Sequence, residues 1–414
     1  MLTVMVNTFA EQLPVKPQHC CPTVTAMSPI VQPGLRSVVS GLSGNELFCI
    51  DRLGYRAGDL LVGNSVYSLG LLGGIGSAFT AMAGGEVTQI TEMITAGRHL
   101  STQRLMNEMR QVQAHGATGM SSELIFHAGN VEFLSVASGL YRKDGQMPQW
   151  AFTTSADAQE LWCQEDAGYA PVAFVMGNVA YSIGVGRGIA GAFKQLQKGE
   201  VKQYSDIFTH TRNLALQRIV GEAQSVGANA VVGIKTSILP FGGTGVQEML
   251  MVGTAARHDM SDAHFARMGV TTSDLTAEET WNLAKIGYSP LMLVLGTSVY
   301  SLGFVGGLMA SFKNYVKGEI SELTELIYAA REESLGKVRA QASSIGADDV
   351  VGVKTYIYDL GSGLIEFLAI GTAVKKTDSA RTATDMLPAQ AIIRDKDTFV
   401  NAAERGYGVS LTQE

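Results

Sequence analysis

Residues 227–235, Gly227-Ala228-Asn229-Ala230-Val231-Val232-Gly233-Ile234-Lys235, read as the end of a helix followed at once by a buried strand. Glycine takes the left-handed conformation that closes a helix, which puts the stop at Gly227. Ala230 to Ile234 is a short apolar run with β-branched residues, the signature of a covered strand. The stretch recurs as Gly346-Ala347-Asp348-Asp349-Val350-Val351-Gly352-Val353-Lys354. A worn copy is read at Gly116-Ala117-Thr118-Gly119-Met120, with three extra residues before it. A chain of 414 residues thereby becomes one unit repeated three times.

The flanking residues repeat on the same offsets. Ser43-x-x-Glu46, Asp157-x-x-Glu160 and Thr276-x-x-Glu279 are capping-box patterns, spaced 114 and then 119 residues apart. In such a box a side-chain oxygen accepts from an orphan N–H of the helix start while the Glu reaches back, so each predicts a short leading helix. Gly54-Tyr55, Gly168-Tyr169 and Gly287-Tyr288 read as its stop. Strands are expected at about 59–63, 172–177 and 291–296, followed by glycine-rich apolar runs. A long helix is expected to open at Gly85-Glu86, Gly199-Glu200 and Gly318-Glu319, where a carboxylate suits the helix dipole. In the second copy Val201, Tyr204, Ile207, Phe208, Thr211, Leu214, Ala215, Ile219, Ala223 and Val226 keep helical spacing. After the helix-to-strand hinge come a glycine-rich hairpin (Gly242-Gly243-Thr244-Gly245, or Gly361-Ser362-Gly363) and a last alternating strand, such as Glu248-Met249-Leu250-Met251-Val252.

The expected fold is therefore α+β: three tandem β-α-β-β units, each an antiparallel sheet with a leading helix. Their expected bounds are 43–143, 157–258 and 276–376, the first divergent, between an irregular N-terminal arm (1–42) and a tail (377–414). A three-stranded sheet with one helical layer leaves edges and a face to be covered, which argues for association.

The hinge, the hairpin, the Met-Leu-Met-Val strand and the terminal Gly253-Thr254-Ala255 resemble the YbjQ family, also called heavy-metal-binding domains. The second copy matches best, including Val175-Met176-Gly177 and Thr211-Arg212, and the third ends in Gly371-Thr372-Ala373-Val374. The resemblance implies a dodecin-like fold and ring-shaped homo-oligomers, pentameric in single-domain members, with strands adding between subunits. Five is not a multiple of three, so either each repeat builds its own ring and the rings stack, which is the favoured expectation, or the repeats share a ring of another size. The family has no established activity.

Composition narrows the function classes. The net charge of −7 argues against a general nucleic-acid binder, which needs a basic surface. Four scattered cysteines make no disulfide framework, and the N-terminus lacks a signal-peptide pattern, so a reducing cytoplasm is the expected compartment. The uncharged runs at 60–85 and 289–312 are long enough to span a membrane, but Arg187 and Lys194 interrupt the second copy. Repeat or subunit contacts through closely spaced glycines explain all three copies better: Gly70, Gly74, Gly184, Gly188, Gly303 and Gly307.

Chemistry finds little footing. No histidine or cysteine occurs from Ala284 to Glu414, and the seven histidines fall off the repeat offsets. Cys49 and Cys163 are equivalent, but Asn282 takes the third place, which excludes a shared His/Cys metal site. A carboxylate site using Glu86, Glu200 and Glu319 is the remaining metal reading. Ser68, Ser182 and Ser301 recur without a recurring histidine, so no catalytic residue is assigned, and no cofactor. Tyr67, Tyr181 and Tyr300, with Arg212 and Arg331 of the long helices, read as packing or oligomer-contact residues. The expected function is a non-enzymatic, self-assembling ring scaffold whose partner is itself. A metal-binding or metal-stress module and a membrane-associated oligomer are the alternatives. The worn first copy predicts that the first unit faces a different neighbour.

Overall fold

The computed structural model describes residues 37–68, 85–127, 129–146, 151–182, 199–241, 246–259, 269–301, 321–361 and 364–386. The first repeat runs α1 (Gly44–Arg52), β1 (Tyr55–Ser68), β2 (Gly85–Glu86), α2 (Thr88–Gln111), β3 (Gly116–His127) and β4 (Asn130–Arg142). The second runs β5 (Phe152–Thr153), α3 (Ala158–Asp166), β6 (Ala170–Ser182), β7 (Gly199–Glu200), α4 (Lys202–Ser225), β8 (Ala230–Phe241) and β9 (Val246–Arg257). The third runs β10 (Thr271–Thr272), α5 (Ala277–Lys285), β11 (Tyr288–Ser301), α6 (Ser321–Ser344), β12 (Asp349–Gly361) and β13 (Leu364–Lys376). All three leading helices start with the full capping box, on Ser43/Glu46, Asp157/Glu160 and Thr276/Glu279.

These elements form a mixed α+β structure with three sheets, ordered β1-β4-β3-β5, β10-β8-β9-β6-β2 and β12-β13-β11-β7. The long strands pair antiparallel, and each sheet borrows two-residue strands from its neighbours. Gly85 and Glu86 pair with Ser182 and Tyr181 on the edge of the second sheet, and Gly199 and Glu200 pair with Ser301 and Tyr300 on the third. In the opposite direction Phe152–Thr153 add in parallel to Gly116 and Ala117, and Thr271–Thr272 to Ala230 and Val231. The second sheet is therefore extended at both edges, while among the described residues the first keeps β1 and the third keeps β12 as an unextended edge.

Each of α2 and α4 lies between two sheets. Leu105 and Met109 of α2 share one apolar cluster with Leu61 and Ala117 of the first sheet and with Phe174 and Met176 of the second. Tyr204, Phe208 and Ile219 of α4 pack with Val175 and Val179 of the second sheet and with Leu293, Leu295 and Val299 of the third. Glycines allow the close approach of each helix to its own sheet: a Cβ on Gly63, Gly177 or Gly296 would run into the main-chain carbonyl of Ser101, Ala215 or Ser334.

Two sequence expectations need correction. The long helices start at Thr88 and Lys202, so Glu86 and Glu200 lie on borrowed strands and not in a first helical turn. The hinge of the first repeat has no extra residues: α2 ends at Gln111, and Gln113 takes the left-handed place (φ 55°) that Gly227 (φ 70°) and Gly346 (φ 68°) hold in the other copies. The glycines that truly correspond are Gly119, Gly233 and Gly352, with φ of 66°, 63° and 64°. Each sits where the strand register slips, a β-bulge that only glycine forms without strain. The described residues just before Ser43 have no helix or strand, but they are tied to the first sheet. Val39 accepts from Leu60 N–H through its carbonyl (2.7 Å) and donates to Asp59 (3.0 Å), and Gly41 N–H donates to Ser138 Oγ (3.2 Å).

Gly70, Gly74, Gly184, Gly188, Gly303, Gly307 and both glycine-rich hairpin tips lie outside the described residues. Among the described residues no helix is long and apolar enough to cross a membrane.

Three substitutions test these backbone readings by denaturant unfolding. Gly177→Ala should destabilise by about 1–3 kcal/mol because the added carbon meets main chain, whereas Gly221→Ala, on an open helix face with nothing near its Cβ, should stabilise by about 0.5–1 kcal/mol. Gln113→Gly should stabilise by about 1 kcal/mol by relieving a left-handed non-glycine residue.

Candidate functional site

The most elaborate constellation in the structure is the junction between consecutive repeats, built twice. Arg98 of α2 crosses to the second repeat, donating from Nε to Glu248 Oε1 (2.9 Å) and from Nη2 to Oε2 (2.7 Å). Its Nη1 donates to the Ser122 carbonyl and hydroxyl (both 2.9 Å). Arg212 of α4 makes the same crossing, with Nη2 donating to both oxygens of Glu366 (2.9 Å each). All four side chains are buried, at 0–1% exposure. Aromatic faces complete the sockets, with Phe133 5.8 Å from the Arg98 guanidinium and Tyr181 4.5 Å from that of Arg212. Burial penalises the charge on Arg212, but Glu366 and Tyr181 more than restore it and push its pKa up.

Around this pair the junction repeats in detail. Val87 N–H donates to the Ala180 carbonyl (2.8 Å) and Val201 N–H to that of Val299 (2.7 Å). Returning bonds run from Ala180 N–H to Thr91 Oγ1 and from Val299 N–H to Ser205 Oγ, both 2.9 Å. The bulge frees Met120 N–H to reach the Thr154 carbonyl (2.9 Å) and Ile234 N–H to reach that of Ser273 (2.8 Å), clamping the incoming strand. The first junction adds His99 against Glu222 (3.0 Å), whose hydrogen bond raises the histidine pKa against the effect of burial.

The predicted residues fall into place around this geometry. Tyr181 is buried beneath Arg212 and donates to Gln247 Oε1 (2.6 Å); Tyr67 and Tyr300 are half-buried, with Tyr67 edge-on to Phe133. Arg331 of α6 is exposed. Glu248 and Glu366, read from sequence only as the start of an alternating strand, are the residues that were missed. Their signal was present, since an Arg in the long helix and a Glu opening the last strand recur in every repeat.

The carboxylates named for metal do different work. Glu86 pairs with Arg218 (2.7 Å) and Glu200 with Lys337 (3.2 Å), each reaching the helix of the next repeat; Glu319 lies outside the described residues. Cys49 and Cys163 are buried in one apolar cluster, and burial pushes the Cys49 thiol up to about 11 and raises that of Cys163 further. A heavy metal needs thiolate or imidazole ligands that converge. Among the described residues no three His, Cys, Asp or Glu side chains do so, and the donor set does not fit one.

Because the arginine and its carboxylate are both buried, removing one partner leaves the other charge stranded. Glu366→Met should cost roughly 3–5 kcal/mol in denaturant unfolding, and the double change Arg212→Met with Glu366→Met should recover most of that loss.

Comparison with known proteins adds family membership. The YbjQ family profile, described as "Putative heavy-metal-binding", matches residues 55–134, 167–259 and 279–377. A Mycobacterium tuberculosis protein named encapsulin nanocompartment protein is 29% identical over 240 residues, covering 56% of this chain and 89% of the relative. UPF0145 proteins of Pseudothermotoga lettingae and Thermotoga maritima are 42% and 45% identical over 87 and 83 residues, each covering 20% of this chain and 77% of the relative. With three profile matches spanning more than half its length, the chain belongs to the YbjQ family.

Proposed function

We propose that this protein is a non-enzymatic scaffold that assembles with itself into rings. The observation that carries the reading is the junction: edge-strand exchange, a shared helix and a buried Arg–Glu pair join repeats one and two and again two and three. A surface used twice in one chain, and left open among the described residues of the first and third units, is suited to joining chains. The relative that carries "encapsulin nanocompartment" in its name supports an assembling role.

We read the chain as three dodecin-like units at 43–143, 157–258 and 276–376, with the arm and the tail outside them. The edge-to-edge pairing of consecutive repeats favours a ring shared by all repeats over stacked rings made from one repeat each. A shared ring holds a multiple of three units and not the five of single-domain members. The two free buried thiols, Cys49 and Cys163, suit a reducing compartment such as the cytoplasm. Glu86 and Glu200, two of the carboxylates a shared metal site would need, are already paired with Arg218 and Lys337, which weighs against the metal-binding alternative.

Light scattering of the purified full chain at micromolar concentration tests the reading. Particles at multiples of the 44.0 kDa chain mass are expected, with rings in negative-stain micrographs. A monodisperse monomer would overturn it.

A further inference from the structure

We propose that the third repeat of one chain docks head-to-tail on the first repeat of a second copy, with Arg331 entering a socket closed by Glu132. This rests on the self-assembly reading and names the surfaces that perform it.

Arg331 is equivalent to the buried Arg98 and Arg212, yet it is exposed and no described residue pairs with it. Glu132 is equivalent to Glu248 and Glu366: it stands opposite Val66 on β1 as they stand opposite Ala180 on β6 and Val299 on β11. Among the described residues no arginine reaches it. Asn64 (3.1 Å) and His127 (2.7 Å) hold it instead, and the carboxylate side chain keeps 18% exposure against 1% and 0% for its counterparts.

The apolar surroundings show the same deficit. Met176 and Leu295, covered by the helix of the preceding repeat, are 3% and 0% exposed, while their counterpart Val62 is 43% exposed. Ala180 and Val299 are fully covered, while Val66 is 58% exposed. The far end matches. Met120 and Ile234, beneath the incoming strand of the next repeat, are 3% and 2% exposed; Val353, at the same bulge of β12, is 42% exposed. The strand that would cover it exists at the other end of the chain. Val38 and Val39 correspond to Phe152–Thr153 and Thr271–Thr272, are anchored on their own repeat through Leu60 and Asp59, and are 48% and 67% exposed.

These open groups all belong to one junction with one direction. By analogy with Thr154 and Ser273, which donate to the Ala117 and Val231 carbonyls (3.0 Å each), Ser40 N–H of the second copy donates to Val350. Arg331 displaces His127 from Glu132, and α6 covers Val62 and Val66. Charge settles the occupant. Third repeat on third repeat sets Arg331 against Arg331, and first on first sets Glu132 against Glu132, so only third on first is complementary. Such a heterologous contact closes into a ring or runs on as a filament.

Charge reversal in the full chain tests this, with far-UV circular dichroism to establish folding and light scattering to read assembly. Arg331→Glu and Glu132→Arg should each weaken association by about tenfold or more, since like charges then meet. A 1:1 mixture of the two variants should assemble again, as should the double variant, because both restore an opposite pair at every contact. Single variants that assemble like the wild type would overturn the docking, as would loss of assembly that neither the mixture nor the double variant repairs. A wild-type chain that stays monomeric would instead overturn the self-assembly reading itself.

Discussion

Two arginines, Arg98 and Arg212, sit fully buried in contact with carboxylates from the following repeat, and the arrangement of the chain depends on them. Removing a guanidinium and a carboxylate from water costs several kcal/mol per ion, and the mutual attraction only roughly offsets it. Such a pair is a poor source of stability but a demanding one of geometry, since each partner is tolerable only when the other is in place. It therefore fixes how the helix of one repeat meets the sheet of the next. The apolar contacts of Met176 and Leu295 supply area, at about 1.5–3 kcal/mol for a buried side chain, but would permit sliding.

The borrowed strands serve the same end. A three-stranded antiparallel sheet exposes an edge on either side, and an open edge is a template for any other strand. Here the pre-helix dipeptide closes one edge and the linker of the next repeat closes the other, with a glycine bulge turning Met120 and Ile234 to receive it. Helix, edge and ion pair are satisfied together or left open together. Among the described residues the second sheet has all three, whereas the first and third are each completed on one side.

Much of this was legible in the residues. The capping boxes on Ser43, Asp157 and Thr276 formed as written, because a cap depends on four consecutive residues and nothing distant. The alternation of the last strands misled: it suggests one buried and one open face, but β4, β9 and β13 lie inside their sheets and are buried on both faces along most of their length. The first hinge was misaligned because Gln113 took a conformation normally signalled by glycine, and Gly116 offered itself in its stead. Glu86 and Glu200 were placed in helices because a carboxylate after a glycine suits a helix start; only a partner strand from another repeat showed otherwise.

The sequence by itself determined that a unit repeats and where its leading helices start, since these follow from short-range spacing. Tertiary structure decided what the repeats do to one another. Arg212 and Glu366 lie 154 positions apart and Glu86 and Arg218 132 apart, and no periodicity links residues whose contact arises only when two sheets clasp one helix. The same reason separates Arg331 from Arg98 and Arg212: one residue type at one repeat position is a buried anchor where the sheet of the following repeat meets it, and an exposed charge where no described residue does.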